Sequence, residues 1–234
     1  MLILSHRGYQ NGVPENTHAA FERAIAIGVD GIETDVRMSA DRLPILYHDH
    51  FAPDGRKVDS LSRTELGGLV GYTVPTLESA LEKWDGVLWN LEIKTPAALD
   101  ATVSIVSQFS ASRRFLITSR IHHIVEQLSQ GLDADFGIVI PRRLSNFGTV
   151  TVTRFGGRIN TIVWRYEVLD AELLEETAAG GMRNLVYGTR TRDEHQQCTE
   201  LKIDGIITDH PEYLLKPRHE MSCPTSCDPD ARVS

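Results

Sequence analysis

Apolar positions in this chain come in short runs of two periods, and the periods take turns. Leu2–Ser5 predicts a strand, and Thr17–Ile27 a helix whose apolar stripe is Ala20, Phe21, Ala24 and Ile27. Gly31–Arg37 and Leu43–His48 follow as strands, then a helix over Leu77–Trp84 with Thr76 as its N-cap and Pro75 just outside. The rhythm continues with strand Leu88–Lys94, helix Ala97–Phe109, strand Phe115–Ser119, helix Ile121–Gln130 and strand Phe136–Ile140. Residues 141–160 mix glycine, arginine and polar positions and give no clear element. Thr161–Trp164 is then a strand, Ala171–Ala179 a helix, Asn184–Tyr187 a strand, Arg192–Leu201 a helix and Gly205–Thr208 a strand.

Strands alternating with helices imply a parallel sheet covered by helices. About eight such units, in a chain near the typical ~250 residues, favour an α/β fold of the closed TIM (β/α)8 type over an open doubly wound sheet. No glycine-rich dinucleotide fingerprint opens any helix. Asp30-Gly31-Ile32-Glu33-Thr34-Asp35 is echoed by Asp204-Gly205-Ile206-Ile207-Thr208-Asp209, as expected if these were neighbouring staves of one barrel. A single domain over 1–215 is expected, with 216–234 a flexible tail because its Pro, Ser, Cys, Asp and charges carry no periodicity.

Composition narrows the function classes. The chain has 234 residues, 41% hydrophobic and 24% charged, enough for one sizeable core. A net charge of −8 disfavours nucleic-acid binding, so an anionic ligand must be held by local charge. No apolar run is long enough for a transmembrane helix, and Met1–Arg7 has none of the marks of a signal peptide, so the expected location is cytoplasmic. Cys198, Cys223 and Cys227 lack paired Cys-x-x-Cys spacing, which argues against a disulfide framework and a structural zinc.

The chemistry concentrates in Glu33-Thr34-Asp35. Alternation along a strand puts both carboxylates on one face, roughly 7 Å apart, with Ile32, Thr34 and Val36 on the other. Such a pair is either a solvated acidic face or a site for a cation or proton transfer. In Leu88–Lys94, Glu92 and Lys94 share a face in the same way. Barrel enzymes gather their functional groups at the C-terminal ends of the strands, so Glu33, Asp35 and Glu92 are expected to converge. Three carboxylates there suit one hard divalent cation, Mg²⁺ or Ca²⁺, and Arg7 and Lys94 add the positive charge that a phosphoryl group needs. His6 and His48 each follow a strand beside this cluster and form a natural acid and base pair.

His6-Arg7-Gly8, Pro14-Glu15-Asn16-Thr17, Glu33-Thr34-Asp35-Val36, His48-Asp49, Pro75-Thr76-Leu77-Glu78, Glu92-Ile93-Lys94 and Asp204–Asp209 occur in an order that resembles the glycerophosphodiester phosphodiesterase family. The resemblance spans about residues 3–215. It implies a TIM barrel that hydrolyses glycerophosphodiesters to glycerol 3-phosphate and an alcohol, through a cyclic phosphate formed by the substrate's own hydroxyl and then opened by water. It assigns the metal to Glu33, Asp35 and Glu92, acid-base chemistry to His6 and His48, and phosphate to Arg7 and Lys94. Glu15 and Asn16 would shape the adjoining loop; Asn16 or Thr17 is equally a candidate helix N-cap.

The chain departs from the family at two places. Tyr187-Gly188-Thr189-Arg190 stands where members tend to carry Trp-Thr-Val-Asn, and Ser119-Arg120 where Ser-Phe is usual. Arg120, Arg142 or Arg143, Arg165 and Arg190 each follow a predicted strand, so several are expected around the mouth, where Arg120 and Arg190 would meet substrate. An anionic or richly hydroxylated alcohol, rather than choline, would suit them; the alternative is that they are solvated or ion-paired. Trp84, Trp89 and Trp164 are expected to be packing residues, with Trp164 a possible pocket wall. Two other readings are a phospholipase D-like enzyme cleaving lysophospholipids and a non-catalytic binding protein on the same barrel. A small-molecule phosphodiester is the expected partner, and a monomer or homodimer fits the composition.

Overall fold

A computed structural model of the protein describes residues 1–142 and 158–215. Arg143, Cys223, Cys227, most of the indistinct stretch 141–160 and the tail 216–234 lie outside the described residues.

Nine strands are described: β1 (Leu2–His6), β2 (Gly31–Met38), β3 (Pro44–Leu46), β4 (Leu88–Ile93), β5 (Arg114–Ser119), β6 (Asp135–Ile140), β7 (Ile159–Arg165), β8 (Arg183–Tyr187) and β9 (Gly205–Thr208). Eight of them pair in parallel in the order β1-β2-β4-β5-β6-β7-β8-β9, and β1 closes the ring by pairing with both β2 and β9. The described helices are α1 (His18–Ile27), α2 (Arg63–Val70), α3 (Leu77–Lys83), α4 (Leu99–Phe109), α5 (His122–Leu128), α6 (Ala171–Ala179) and α7 (Arg192–Glu200). None of the described helices is long and apolar enough to cross a membrane.

Strand alternation sorts the core into two shells. Leu4, Leu88, Leu116, Val139, Val163, Leu185 and Ile207 point inward and fill the barrel. Ile32, Trp89, Leu91, Ile117, Ile138, Ile162 and Ile206 point outward and pack with helix residues such as Phe21, Leu81, Val106 and Ile124. Trp89 meets Phe21 edge to face, with ring centroids 5.5 Å apart. Trp164 belongs to this outer shell and donates to Asn184 Oδ1 at 2.8 Å, so it packs and lines no part of the barrel mouth.

Three expectations need correction. The strand expected over Leu43–His48 exists as β3 but is not a stave: it runs antiparallel to β2, with Val36 opposite Leu46. The return from Met38 is too short for a parallel crossover. Ser39 makes the reversal instead, its Oγ donating to Leu43 O at 3.0 Å. Helix α2 was not expected, although Ser62 and Glu65 form a complete capping box. Gly67 and Gly68 lie within it and weaken its helical signal. Packed with the β3 region, it contributes Leu66 to a small satellite core with Ile45, Tyr47, Val58, Leu61 and Val74.

The echoed hexapeptides are not neighbouring staves either; β2 and β9 flank β1. Their likeness has a shared cause. Asp30 Oδ2 accepts from Ile3 N at 2.8 Å and its carbonyl from Leu88 N at 3.0 Å. Asp204 Oδ2 accepts from Asn184 N at 2.7 Å and its carbonyl from Leu2 N at 2.7 Å. Each aspartate thus stitches its strand to the neighbours on both sides. The following Gly31 must lack a side chain, because a Cβ there would stand 2.5 Å from Leu88 O.

Candidate active site and metal centre

Parallel register lines up the acidic residues. His6 lies opposite Glu33, and Asp35 opposite Glu92. Glu33, Asp35 and Glu92 are all buried, and each offers an oxygen within 4.8 Å of the others. Lys94 Nζ lies 2.8 Å from both Asp35 Oδ1 and Glu92 Oε1. Arg7 Nε lies 3.0 Å from Asp35 Oδ2, while its Nη1 donates to both Glu15 oxygens at 2.9 Å.

Arg7 and Asn16 both hold left-handed backbone, at φ 58° and 54°, which is uncommon outside glycine and clusters at functional sites. That geometry lets Arg7 N donate to Glu33 O at 2.8 Å and turns Asn16 under the cluster. Asn16 Nδ2 donates to Asp35 Oδ2 at 2.9 Å, and its Oδ1 accepts from Thr34 Oγ1 at 2.6 Å. Of the two N-cap candidates, Thr17 is the cap, its side chain accepting from Ala20 N at 3.3 Å. Asn16 is thereby left to serve the site.

The carboxylates are pushed apart electrostatically. Burial raises Glu33 to about 8, with the Asp35 charge adding to the rise. Burial acts the same way on Asp35, yet Lys94 and then Arg7 overcome it and hold that group at about 2. A divalent cation fits this oxygen set, because it would supply the positive charge that keeps Glu33 ionised beside Asp35.

The linkage has a definite sign. A group whose folded pKa lies above its unfolded value favours the folded state fully below the unfolded value, and loses that contribution as pH rises through the folded value. Glu33, with an ordinary value of 4.5 and a folded value of about 8, therefore makes metal-free protein less stable between those limits. Thermal melts in chelator should show Tm falling over that window, and saturating Mg²⁺ or Ca²⁺ should flatten the fall. A Tm that is flat with pH in chelator would refute the coupling.

The two histidines are each paired with an aspartate. His6 Nδ1 lies 2.7 Å from Asp209 Oδ1, so Nδ1 carries the donated proton and Nε2 faces Glu33 Oε2 at 3.9 Å. Burial would lower His6, but the Asp209 hydrogen bond and the Glu33 charge leave it raised overall. His48 Nδ1 donates likewise to Asp49 Oδ1 at 2.8 Å. His48 follows β3, and two bonds tie it to the end of β2: Tyr47 N donates to Asp35 O at 3.0 Å, and Arg37 Nε to His48 O at 2.9 Å. The antiparallel hairpin is what brings His48 to this mouth.

Asp209 is itself held in place. Gln10 Nε2 donates to it at 3.3 Å. The preceding Thr208 is pinned by buried His195, whose Nδ1 donates to Thr191 O at 2.6 Å and whose Nε2 accepts from Thr208 Oγ1 at 2.7 Å.

His6, Arg7, Glu15, Glu33, Asp35, Glu92 and Lys94 thus form one connected cluster, with His48 beside it. The arginines separate. Arg120 lines the same cavity as His6, Glu33 and Glu92. Arg165 is forked onto Glu167 at 2.7 and 2.9 Å, an ion-paired loop residue. Arg142 is exposed, and Arg190 is exposed at the start of α7; neither lines the cavity. Sequence reasoning gave no role to Asp209, Asp49, Asn90 or Arg37. For Asp49 the signal was adjacency to His48, and for Asp209 it was the second copy of the Thr-Asp strand ending.

A sequence profile of the Glycerophosphoryl diester phosphodiesterase family matches residues 6–106. The glycerophosphodiester phosphodiesterase of Caldanaerobacter subterraneus subsp. tengcongensis is 25% identical over 244 residues, covering 92% of this chain and 96% of its own. The crystal structure of glycerophosphodiester phosphodiesterase from Thermotoga maritima superposes with a TM-score of 0.80 at 26% identity, covering 93% of this chain and 98% of that one. A phosphodiesterase from Oleispira antarctica, solved with the product sn-glycerol-3-phosphate, shares the fold at a TM-score of 0.78 and 20% identity, covering 91% and 94%. The barrel and the acidic cluster thus coincide with a match to the glycerophosphoryl diester phosphodiesterase family over residues 6–106 and with similarity, over more than nine-tenths of the chain, to proteins named for that activity.

Proposed function

We propose that this protein is a metal-dependent phosphodiester hydrolase that cleaves glycerophosphodiesters to glycerol 3-phosphate and an alcohol. The observation that carries this reading is the convergence of three buried carboxylates within 4.8 Å at the mouth of the barrel, beside a histidine already oriented by an aspartate. Relatives named for the same activity support it.

Glu33, Asp35 and Glu92 would hold one divalent cation, Mg²⁺ or Ca²⁺. Once bound, it would supply charge neutralisation to the phosphoryl oxygens. Arg7 and Lys94 place two further cations at the same point and favour binding of an anionic phosphodiester. Both are spent on carboxylates in the free protein, so they are preorganised for the anion.

His6 and His48 each keep Nδ1 bonded to an aspartate, which leaves Nε2 of each as the proton-exchanging atom. One takes the proton from the substrate hydroxyl that attacks phosphorus, and the other gives a proton to the departing alcohol oxygen. The same pair, with roles reversed, serves when water opens the cyclic phosphate.

The test is release of glycerol 3-phosphate from a panel of glycerophosphodiesters, with and without added divalent metal, for native protein and His48→Ala. Metal-dependent release that falls by about 10²–10⁴-fold in the variant is expected. Release that survives both chelation and the substitution would overturn the reading.

A further inference from the structure

Resting on that functional reading, one wall of the cavity carries hydrogen-bonding groups that neither the metal cluster nor the histidines use. The cavity is narrow, with room for about one water molecule, so the organic parts of a diester extend to its rim. Arg120 and Tyr187 stand on that wall, with the Arg120 guanidinium 5.7 Å from the centre of the Tyr187 ring. The ring supports the planar fork and limits its freedom.

Among the described residues, Arg120 makes no hydrogen bond, and its ion pair is with Glu92 Oε1 at 3.5 Å. That oxygen is already held at 2.8 Å by Lys94. The other arginines near the mouth are committed differently: Arg7 to Glu15 and Asp35, Arg37 to the His48 carbonyl, Arg165 to Glu167. Arg120 is also about half exposed, at 48% of its side chain, so its outer nitrogens reach solvent over the cavity.

Two neighbours add to it. The Tyr187 hydroxyl has no hydrogen-bond partner among the described residues, and burial holds its proton on by raising its pKa. Asn90, 1% exposed, lines the cavity while its Oδ1 accepts from Thr118 Oγ1 at 2.9 Å, which leaves its amide N–H groups without a hydrogen-bond acceptor among the described residues. Three donors, one of them a permanently charged fork, thus line the cavity together with the His6, Glu33 and Glu92 of the catalytic cluster.

We infer that Arg120, supported by Tyr187 and Asn90, forms a subsite for an anionic group on the substrate's alcohol portion, a carboxylate or a second phosphate. Glycerol carries no charge, and the diester's own phosphate is taken by the metal cluster, Arg7 and Lys94 in the reading above, so a second anion at this fork belongs to the alcohol. The two residues on which the subsite rests, Arg120 and Tyr187, are also two points where the chain departs from the usual family pattern.

A matched series of diesters tests the subsite: glycerol phosphate esterified to glycerate, to glycerol and to choline. The first two differ only in a carboxylate that replaces a hydroxymethyl group. Native protein should give kcat/KM in the order glycerate, glycerol, choline. Arg120→Gln should reduce the glycerate-to-glycerol ratio by about 10- to 100-fold, the worth of a charge-assisted hydrogen bond. Arg120→Lys, which keeps the charge but not the fork, should retain part of the preference. An equal loss on all three substrates would make Arg120 a neutraliser of Glu92 and overturn the subsite, as would a native preference for glycerol or choline.

If none of the three is cleaved, the functional reading falls, and calorimetry with the same diesters still decides the subsite. Tighter binding of the glycerate diester that Arg120→Gln abolishes supports it; equal binding of all three overturns it.

Discussion

Asp35→Ala is expected to lower the stability of this protein by about 3–5 kcal/mol, the scale of removing one partner from a buried ion pair. Among the described residues, Asp35 alone forms ion pairs with both buried cations, Lys94 at 2.8 Å and Arg7 at 3.0 Å, whose side chains are only 10% and 15% exposed. Arg7 keeps Glu15 and Lys94 keeps Glu92, but Asn16 Nδ2 loses its acceptor, and the positive charge left behind is only partly compensated. Denaturant unfolding in chelator, which excludes any contribution from bound metal, checks this directly.

The acid limb should change with it. Asp35 is depressed from 3.8 to about 2, so it contributes stability above its unfolded value and loses it as pH falls through the folded one. Native protein should therefore weaken between pH 4 and 2 more steeply than the variant. A loss under about 1 kcal/mol, with the acid limb unchanged, would mean that the cluster is solvated like an ordinary surface network.

The second large effect concerns catalysis. His6→Ala should lower kcat by about 10²–10⁴-fold, the usual contribution of a positioned acid or base. Asp209→Asn should cost less, about 10- to 100-fold, because the imidazole remains while the bond that fixes its proton on Nδ1 weakens. The direction of the pH effect separates this from a simple structural defect. Asp209 and Glu33 together hold His6 above its ordinary value against the opposing effect of burial, so removing the Asp209 charge should move the His6 limb of the rate profile to lower pH. A variant with an unchanged rate and an unchanged limb would show that Asp209 does not act through His6.

The acidic cluster was legible because strand alternation is a local rule. Glu33 and Asp35 had to share a face, as did Glu92 and Lys94, and the closed parallel barrel then brings the two strands into register. Partner choice at longer range was not legible. Asp209 reaches His6 from 203 residues away, and nothing in either segment names the other. The arginines show the same limit. Arg120, Arg142, Arg165 and Arg190 each follow a predicted strand, yet Arg165 closes on Glu167, Arg142 and Arg190 stay exposed, and Arg120 reaches the cavity. A strand ending fixes where a backbone is, whereas a long side chain settles where the surrounding charges and rings take it.

Helix α2, and the direction though not the existence of strand β3, were hidden for a different reason. Both are short, and their directions depend on packing around Ile45, Leu61 and Leu66 rather than on period.

By itself, then, the sequence determined the alternation of strand and helix, the closed barrel and the acidic face, because each follows from which neighbours along the chain are apolar. The tertiary structure alone decided that β3 turns back to carry His48 to the mouth, that Asp209 holds His6, and that Arg120 rather than Arg165 or Arg190 faces the cavity. Those outcomes depend on which charges and rings meet after the barrel closes, a competition among groups far apart in sequence that no local period encodes.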